Sequence, residues 1–181
     1  MNETSHCFQL SPLIRGTLIT VYLALVLPLP ALAPESLRLW LLAAVPFGLL
    51  VVLAMLSEQV TVTSSGITVG HPSWCSWILR RGWSLQWTEM KALVPVGTSQ
   101  GGKVFYITTH DQSQRLLPQR LEHFDRFLGL IQSKSSLRIT GVGRLTPPWT
   151  YQLLAVLAAL MLVGEGSVAF AVQKGLIIIP S

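Results

Sequence analysis

The chain has 181 residues, half of them hydrophobic and only 12% charged, with a formal net charge of +5. Soluble domains carry about a quarter charged residues, so this composition excludes an ordinary soluble domain and points to a membrane. Cys7 and Cys75 stand far apart with no CxxC or Cys/His spacing, so neither a disulfide framework nor a zinc site is indicated; the neighbourhoods His6-Cys7 and His71 to Cys75 could in principle hold a metal, but each offers two ligands and leaves a tetrahedral site half built, so no metal is expected.

In chain order, residues 1–15 read as an N-terminal tail. Residues 16–33 and 39–56 are free of charge, each 18 residues long and near the lower limit for a membrane span. Only Pro34-Glu35-Ser36-Leu37-Arg38 lies between them, too short for anything but a tight turn, so 16–56 reads as an antiparallel helical hairpin. Pro28, Pro30 and Pro46 bend or end these helices without forbidding them. A rival reading makes residues 1–33 a cleaved signal peptide, with Ala31-Leu32-Ala33 as the cleavage site; Glu3 set against the single Arg15, and Pro34 after the cut, weigh against it.

The insert, 57–138, opens with alternating polar and apolar residues over 58–63, a break at Ser64-Ser65-Gly66, and Ile67-Thr68-Val69, the pattern of a hairpin. Further strands are expected over 77–81, 83–87 and 92–96. Then comes GTSQGGKV, in which Gly97, Gly102 and Lys103 have the spacing of a phosphate-binding P-loop. That loop needs a following helix and a Ser or Thr after the lysine. Here Val104 follows, and 103–109 is β-branched and aromatic, so the glycines read as a hairpin turn and no nucleotide is expected. After Pro118, Leu121, Phe124, Phe127, Leu128 and Ile131 form one helical stripe, with Glu122, Asp125 and Arg126 outside it. This amphipathic helix closes a small antiparallel sheet of six or seven strands.

Residues 139–148 read as a linker, 149–172 as a third span and 173–181 as a C-terminal tail. The third span opens on Trp149 and Tyr151 at interface depth. Ala155, Ala158, Ala159, Gly166 and Ala169 share a small-residue face suited to packing on the hairpin, with Glu165 at its edge. An isolated carboxylate in hydrocarbon costs roughly 2.5 kcal/mol or more, so Glu165 needs a partner, with Arg38 and Lys174 as candidates, or a helix break at Gly164-Glu165-Gly166 that lifts it to the head groups. An ion or proton relay is the functional alternative. Ten Lys and Arg lie between the second and third spans, against Arg38 in the turn and Lys174 in the tail, which places 57–138 on the cytoplasmic side.

The paired VTVTSSGITV hairpin, the segment from Leu85 through Trp87-Thr88-Glu89 to Leu93, and the helix around Phe124-Asp125-Arg126-Phe127-Leu128 together resemble the bacterial pleckstrin-homology-like (PH-like) domains found beside membrane spans. The resemblance covers about residues 57–137. It implies a small antiparallel β-sheet or barrel capped by one C-terminal helix, a structural role for Trp87-Thr88-Glu89, and no catalytic residues. In architecture alone the chain is also similar to the thylakoid photosystem I assembly factor that sets a two-helix hairpin before a β-rich stromal domain, from which it departs by its third span.

No nucleophile, base and acid set is legible: His71, His110 and His123 fall in unrelated elements and no G-x-S-x-G elbow occurs. Neither an enzyme nor a cofactor is expected. Trp74, Trp77, Trp83 and Trp87 interleave with Arg80 and Arg81 in a way that nucleic-acid binders share, but a tethered basic domain already has anionic lipid beside it, so nucleic acid is not expected as a partner. The fold class expected is an integral membrane α-helical protein of three spans with an inserted α+β domain, in a bacterial plasma membrane or a thylakoid. Its expected surface for anionic lipid or a protein partner is Arg80, Arg81, Lys91, Arg138, Arg144 and Trp83, with Ala155, Ala159 and Gly166 packing helices. The alternative is an assembly factor or accessory subunit of a larger membrane complex.

Overall fold

The computed structural model describes residues 5–77, 79, 82–99, 102–135, 137, 142, 143 and 147–175. The chain divides into two compact units: Met1–Pro12 with Ala54–Pro147, and Leu13–Leu53 with Pro148–Ser181. The architecture is mixed α+β, with three long apolar helices in one unit and two small antiparallel sheets in the other.

In the helical unit, α1 (Pro12–Val26) is followed after a turn by the short α2 (Leu29–Leu32). Pro28 has no N–H to continue the ladder, so the helix breaks there and restarts with the amides of Ala31 and Leu32 bonded to the Pro28 carbonyl. Helix α3 (Glu35–Met55) begins four residues earlier than hydropathy alone suggests, because Pro34 offers its carbonyl to Leu37 and Arg38 and Glu35 suits a helix N-terminus. Pro46 is carried inside α3. Among the described residues three stretches are long and apolar enough to cross a membrane: Pro12–Leu32, Glu35–Met55 and Pro148–Gln173. Helix α1 holds both others. Its Tyr22 hydroxyl donates to the Val45 carbonyl at 2.6 Å, and its buried Thr17 hydroxyl lies 2.8 Å from Leu13 O and 3.2 Å from Tyr151 O. Gly48 makes the first contact possible, since a Cβ there would run into the Tyr22 hydroxyl.

In the other unit the segment read as a tail contributes strand β1 (His6–Gln9). It pairs antiparallel with β2 (Gln59–Val62), which pairs with β3 (Gly66–Gly70), which pairs with β4 (Trp83–Gln86). On its far side β1 is continued by the Leu10 to Leu121 bridge and by bonds from Ser11 N to Arg120 O and Glu122 N to Gln9 O. A 3-10 turn, Trp87–Glu89, leads to the second sheet, β5 (Met90–Gly97), β6 (Lys103–Thr109) and β7 (Gln114–Leu116). The sequence suggests one sheet; the chain makes two, because the 3-10 turn redirects it between β4 and β5. Glu89 caps that turn by accepting from the Gln86 amide at 2.8 Å, and Trp87 Nε1 donates to Thr63 O at 3.2 Å.

Helix α4 (Phe124–Lys134) closes the unit, and Pro148–Gln173 is α5. Phe124, Phe127 and Ile131 of α4 join Phe8, Val60, Val62, Ile67, Val69, Leu85, Met90, Phe105 and Ile107 in one core between the sheets. Phe127 meets Phe8 edge-on at 5.5 Å between ring centroids. The strand expected over 77–81 is not formed at its start: residues 73–77 lie in turns, with Cys75 N and Ser76 N both bonded to Pro72 O.

Candidate functional site

The glycine-rich stretch is resolved first by its neighbours. Gly97 pairs with Lys103 at the end of the β5–β6 hairpin, and Thr98 N bonds Gly102 O at 2.8 Å. Lys103 thus opens a strand, where a phosphate-cradling loop leads into a helix N-terminus.

Of the residues expected to meet lipid or a partner, Arg80, Arg81, Arg138 and Arg144 lie outside the described residues. Lys91 is exposed on β5, at the bulge where the β5–β6 register shifts between Met90 and Ala92. Trp83 begins β4 opposite Val69 and is half-buried against the core, so much of its ring serves packing. Two other tryptophans, Trp74 and Trp77, are exposed at 54% and 79% in the turns between β3 and β4. The sequence carried a signal for this pair. A spacing of three residues puts two side chains on one side of a helical turn, with the intervening Cys75 directed elsewhere. Cys75 is buried, its Sγ 3.1 Å from Ser57 Oγ, while the exposed Cys7 donates to Gln59 Oε1 at 3.8 Å.

Helix α5 runs unbroken through Gly164-Glu165-Gly166, which corrects the expected break there. A helical glycine costs about 1 kcal/mol relative to alanine, less than unpaired backbone groups cost in an apolar setting. The side of α5 turned inward carries Tyr151, Ala155, Ala158, Leu162 and Glu165, and only Ala158 is fully buried. Ala159 and Gly166 are exposed, and a Cβ at Gly166 would meet nothing. The packing stripe therefore follows a heptad spacing and not residue size. Among the described residues Glu165 forms no ion pair; Lys174 instead lies 5.8 Å from the Phe170 ring centroid.

Each unit has a cleft. One of about 300 Å³ lies between β1 and the start of α4, lined by His6, Cys7, Gln9, Glu122, His123 and Arg126. Glu122 Oε1 is 3.5 Å from His123 Nε2, and His123 sits at φ 51°, a left-handed conformation uncommon for a non-glycine residue. The other, about 580 Å³ and mostly apolar, lies at the α1–α3 end beside Pro30, Arg38, Leu42 and Pro46. Among the described residues no three His, Cys, Asp or Glu converge as metal ligands. At the β6–β7 turn the Thr109 hydroxyl donates to Asp111, and Ser113 N does so at 3.2 Å. These bonds, the Thr109 hydroxyl first, hold the Asp111 carboxyl below its ordinary value.

These features define a class: a mixed α+β protein that joins helices of membrane-crossing length and apolarity to an antiparallel two-sheet unit closed by a helix. The chain is 37% identical over 167 residues to the uncharacterized protein slr0269 of Synechocystis, an alignment spanning 89% of this chain and 84% of that one. It belongs to the same family as that cyanobacterial protein. No family model matches it, and no solved structure does.

Proposed function

We propose that this is a non-enzymatic integral membrane protein whose three long helices cross the bilayer and present a basic, PH-like module at the cytoplasmic surface, where it binds anionic lipid head groups or a protein partner. The observation that carries the reading is the exposure of apolar side chains all along α3 and α5, from Leu39 and Trp40 to Val163 and Phe170. Helices apolar on every side belong in a protein core or in lipid, and among the described residues most side chains of α3 and α5 are left uncovered. Two further features support it. Seven strands, each paired with its neighbour in sequence within sheets of four and three and closed by α4, accord with the PH-like resemblance. Strand β1 precedes the first span and β2 follows the second, so their pairing requires both on one side of the membrane, as a two-helix hairpin delivers.

Each Lys or Arg near an anionic surface contributes on the order of 1 kcal/mol, and the ten Lys and Arg between α3 and α5 supply that attraction. A second reading, an accessory or assembly subunit of a larger membrane complex, is favoured by the outer face of the second sheet, where Val94, Val96 and Leu116 are exposed. Protease treatment tests the topology. In inverted membrane vesicles the insert is cut, and in right-side-out vesicles it is spared; the reverse pattern overturns the proposal. Arg80→Glu with Arg81→Glu in the full chain lowers the anionic lipid that co-purifies, whereas Val94→Asp with Leu116→Asp strips a protein partner. Unchanged yields in both remove the corresponding binding role.

A further inference from the structure

The turn between β3 and β4 exposes two indoles that the core does not use. Trp74 and Trp77 stand out at 54% and 79%, while Cys75 between them is fully buried. The turn has defined geometry: Cys75 N and Ser76 N bond Pro72 O at 3.1 and 3.0 Å, Leu79 N bonds Cys75 O at 3.2 Å, and Trp77 Nε1 bonds Trp74 O at 3.1 Å. Its pin is Cys75 Sγ, 3.1 Å from the Ser57 hydroxyl, which itself donates to Ala54 O at 2.6 Å. Ser57 stands two residues beyond Met55, the last residue of α3. One trans peptide advances the chain by at most about 3.8 Å, so the pin holds the turn within a short distance of where the second apolar helix ends.

That position fixes the chemistry of the occupant. The end of a spanning helix lies at head-group depth, where indole rings are enriched because one edge is apolar and the other polar. We infer that the turn carrying Trp74 and Trp77 is an interfacial anchor that inserts both indoles among the lipid head groups at the end of α3. The inference rests on the proposed membrane reading and deepens it: lipid contact is made by a built aromatic turn as well as by dispersed charge. The buried Cys75 is then the device that keeps two large apolar rings facing outward.

The test uses the full chain in a Cys7→Ser background, reconstituted in nanodiscs of phosphatidylcholine and phosphatidylglycerol that contain a lipid spin-labelled near its head group. An environment-sensitive fluorophore is attached through Ser76→Cys, at an exposed position between the indoles, and in a separate protein through Leu50→Cys on the exposed side of α3. Both labels lose most of their emission to the spin label. Adding Trp74→Ala and Trp77→Ala restores emission at position 76 severalfold and leaves position 50 unchanged. A quenched label at 50 with an unquenched one at 76 overturns the anchor and leaves the spanning helices standing. No quenching at either position overturns the spanning reading, and the anchor with it.

Discussion

The two units use the same side chains in opposite ways. In the β unit Val60, Val62, Ile107 and Phe127 are wholly removed from solvent; in the helical unit Leu157, Leu160 and Val163 stand more than half exposed. The β unit is held together by expelling water, whereas the helical unit satisfies its backbone internally and relies on a few specific contacts, Thr17 to Tyr151 and Tyr22 to Val45. Apolar side chains are therefore buried for stability in one unit and, on the proposed membrane reading, face lipid in the other.

The sharpest way to break that contrast is a pair of truncations. Phe127→Ala removes a ring that packs on Phe8 and Phe124 and lowers the stability of the β unit by about 3 to 5 kcal/mol. Leu157→Ala on α5 stays within about 0.5 kcal/mol. Thermal unfolding of the full chain in detergent, followed by circular dichroism, separates the two. Comparable losses would erase the distinction between the units.

Gly66→Ala comes next. Gly66 lies against the Leu85 carbonyl, and a Cβ there has no room without moving the β3–β4 backbone. The loss is about 2 kcal/mol, the usual scale of overpacking, and is read in the same unfolding experiment. Gly166→Ala, with open space around it, serves as the neutral partner of this comparison.

How much of this was legible in the sequence depended on whether a signal is local. The alternation over 58–63 and the Ser64-Ser65-Gly66 break are local, and the hairpin forms where they lie; of the expected stripe Phe124, Phe127, Leu128 and Ile131 fall in α4, while Leu121 lies before it and bridges to Leu10. Strand β1 was not legible because His6 to Gln9 is short and its partner β2 lies beyond two helices, so nothing nearby marks it as paired. Trp77 opens a stretch of strand-like composition, yet it lies in a turn whose Cys75 and Ser76 amides bond the Pro72 carbonyl. On α5 an all-apolar sequence gives no period, so small residues suggested a face that Ala158, Leu162 and Glu165 only partly share. Arg80, Arg81, Arg138 and Arg144 lie outside the described residues.

Two smaller effects sharpen the comparison at its edges. Thr17→Val removes the hydroxyl at the α1–α5 contact and weakens the helical unit by about 0.6 kcal/mol, the average of such bonds between membrane helices, leaving unfolding of the β unit unchanged. In the β6–β7 turn Asp111 is held below its ordinary value by Thr109 and Ser113, so its contribution to stability is complete above the ordinary aspartate value and fades as pH falls through the lower folded one. The stability gap between the natural chain and Asp111→Asn accordingly narrows only in strong acid, which a pH series of unfolding curves checks. A gap that widened on acidification would reverse the assignment.

Strand β1 leaves the ribosome before everything it pairs with, and β2 is made only after the helical hairpin. On the proposed topology, a nascent chain whose first two helices fail to insert together strands its opening segment across the bilayer from the sheet that needs it. In such a molecule the β2 edge that β1 covers in the folded chain would stay unpaired.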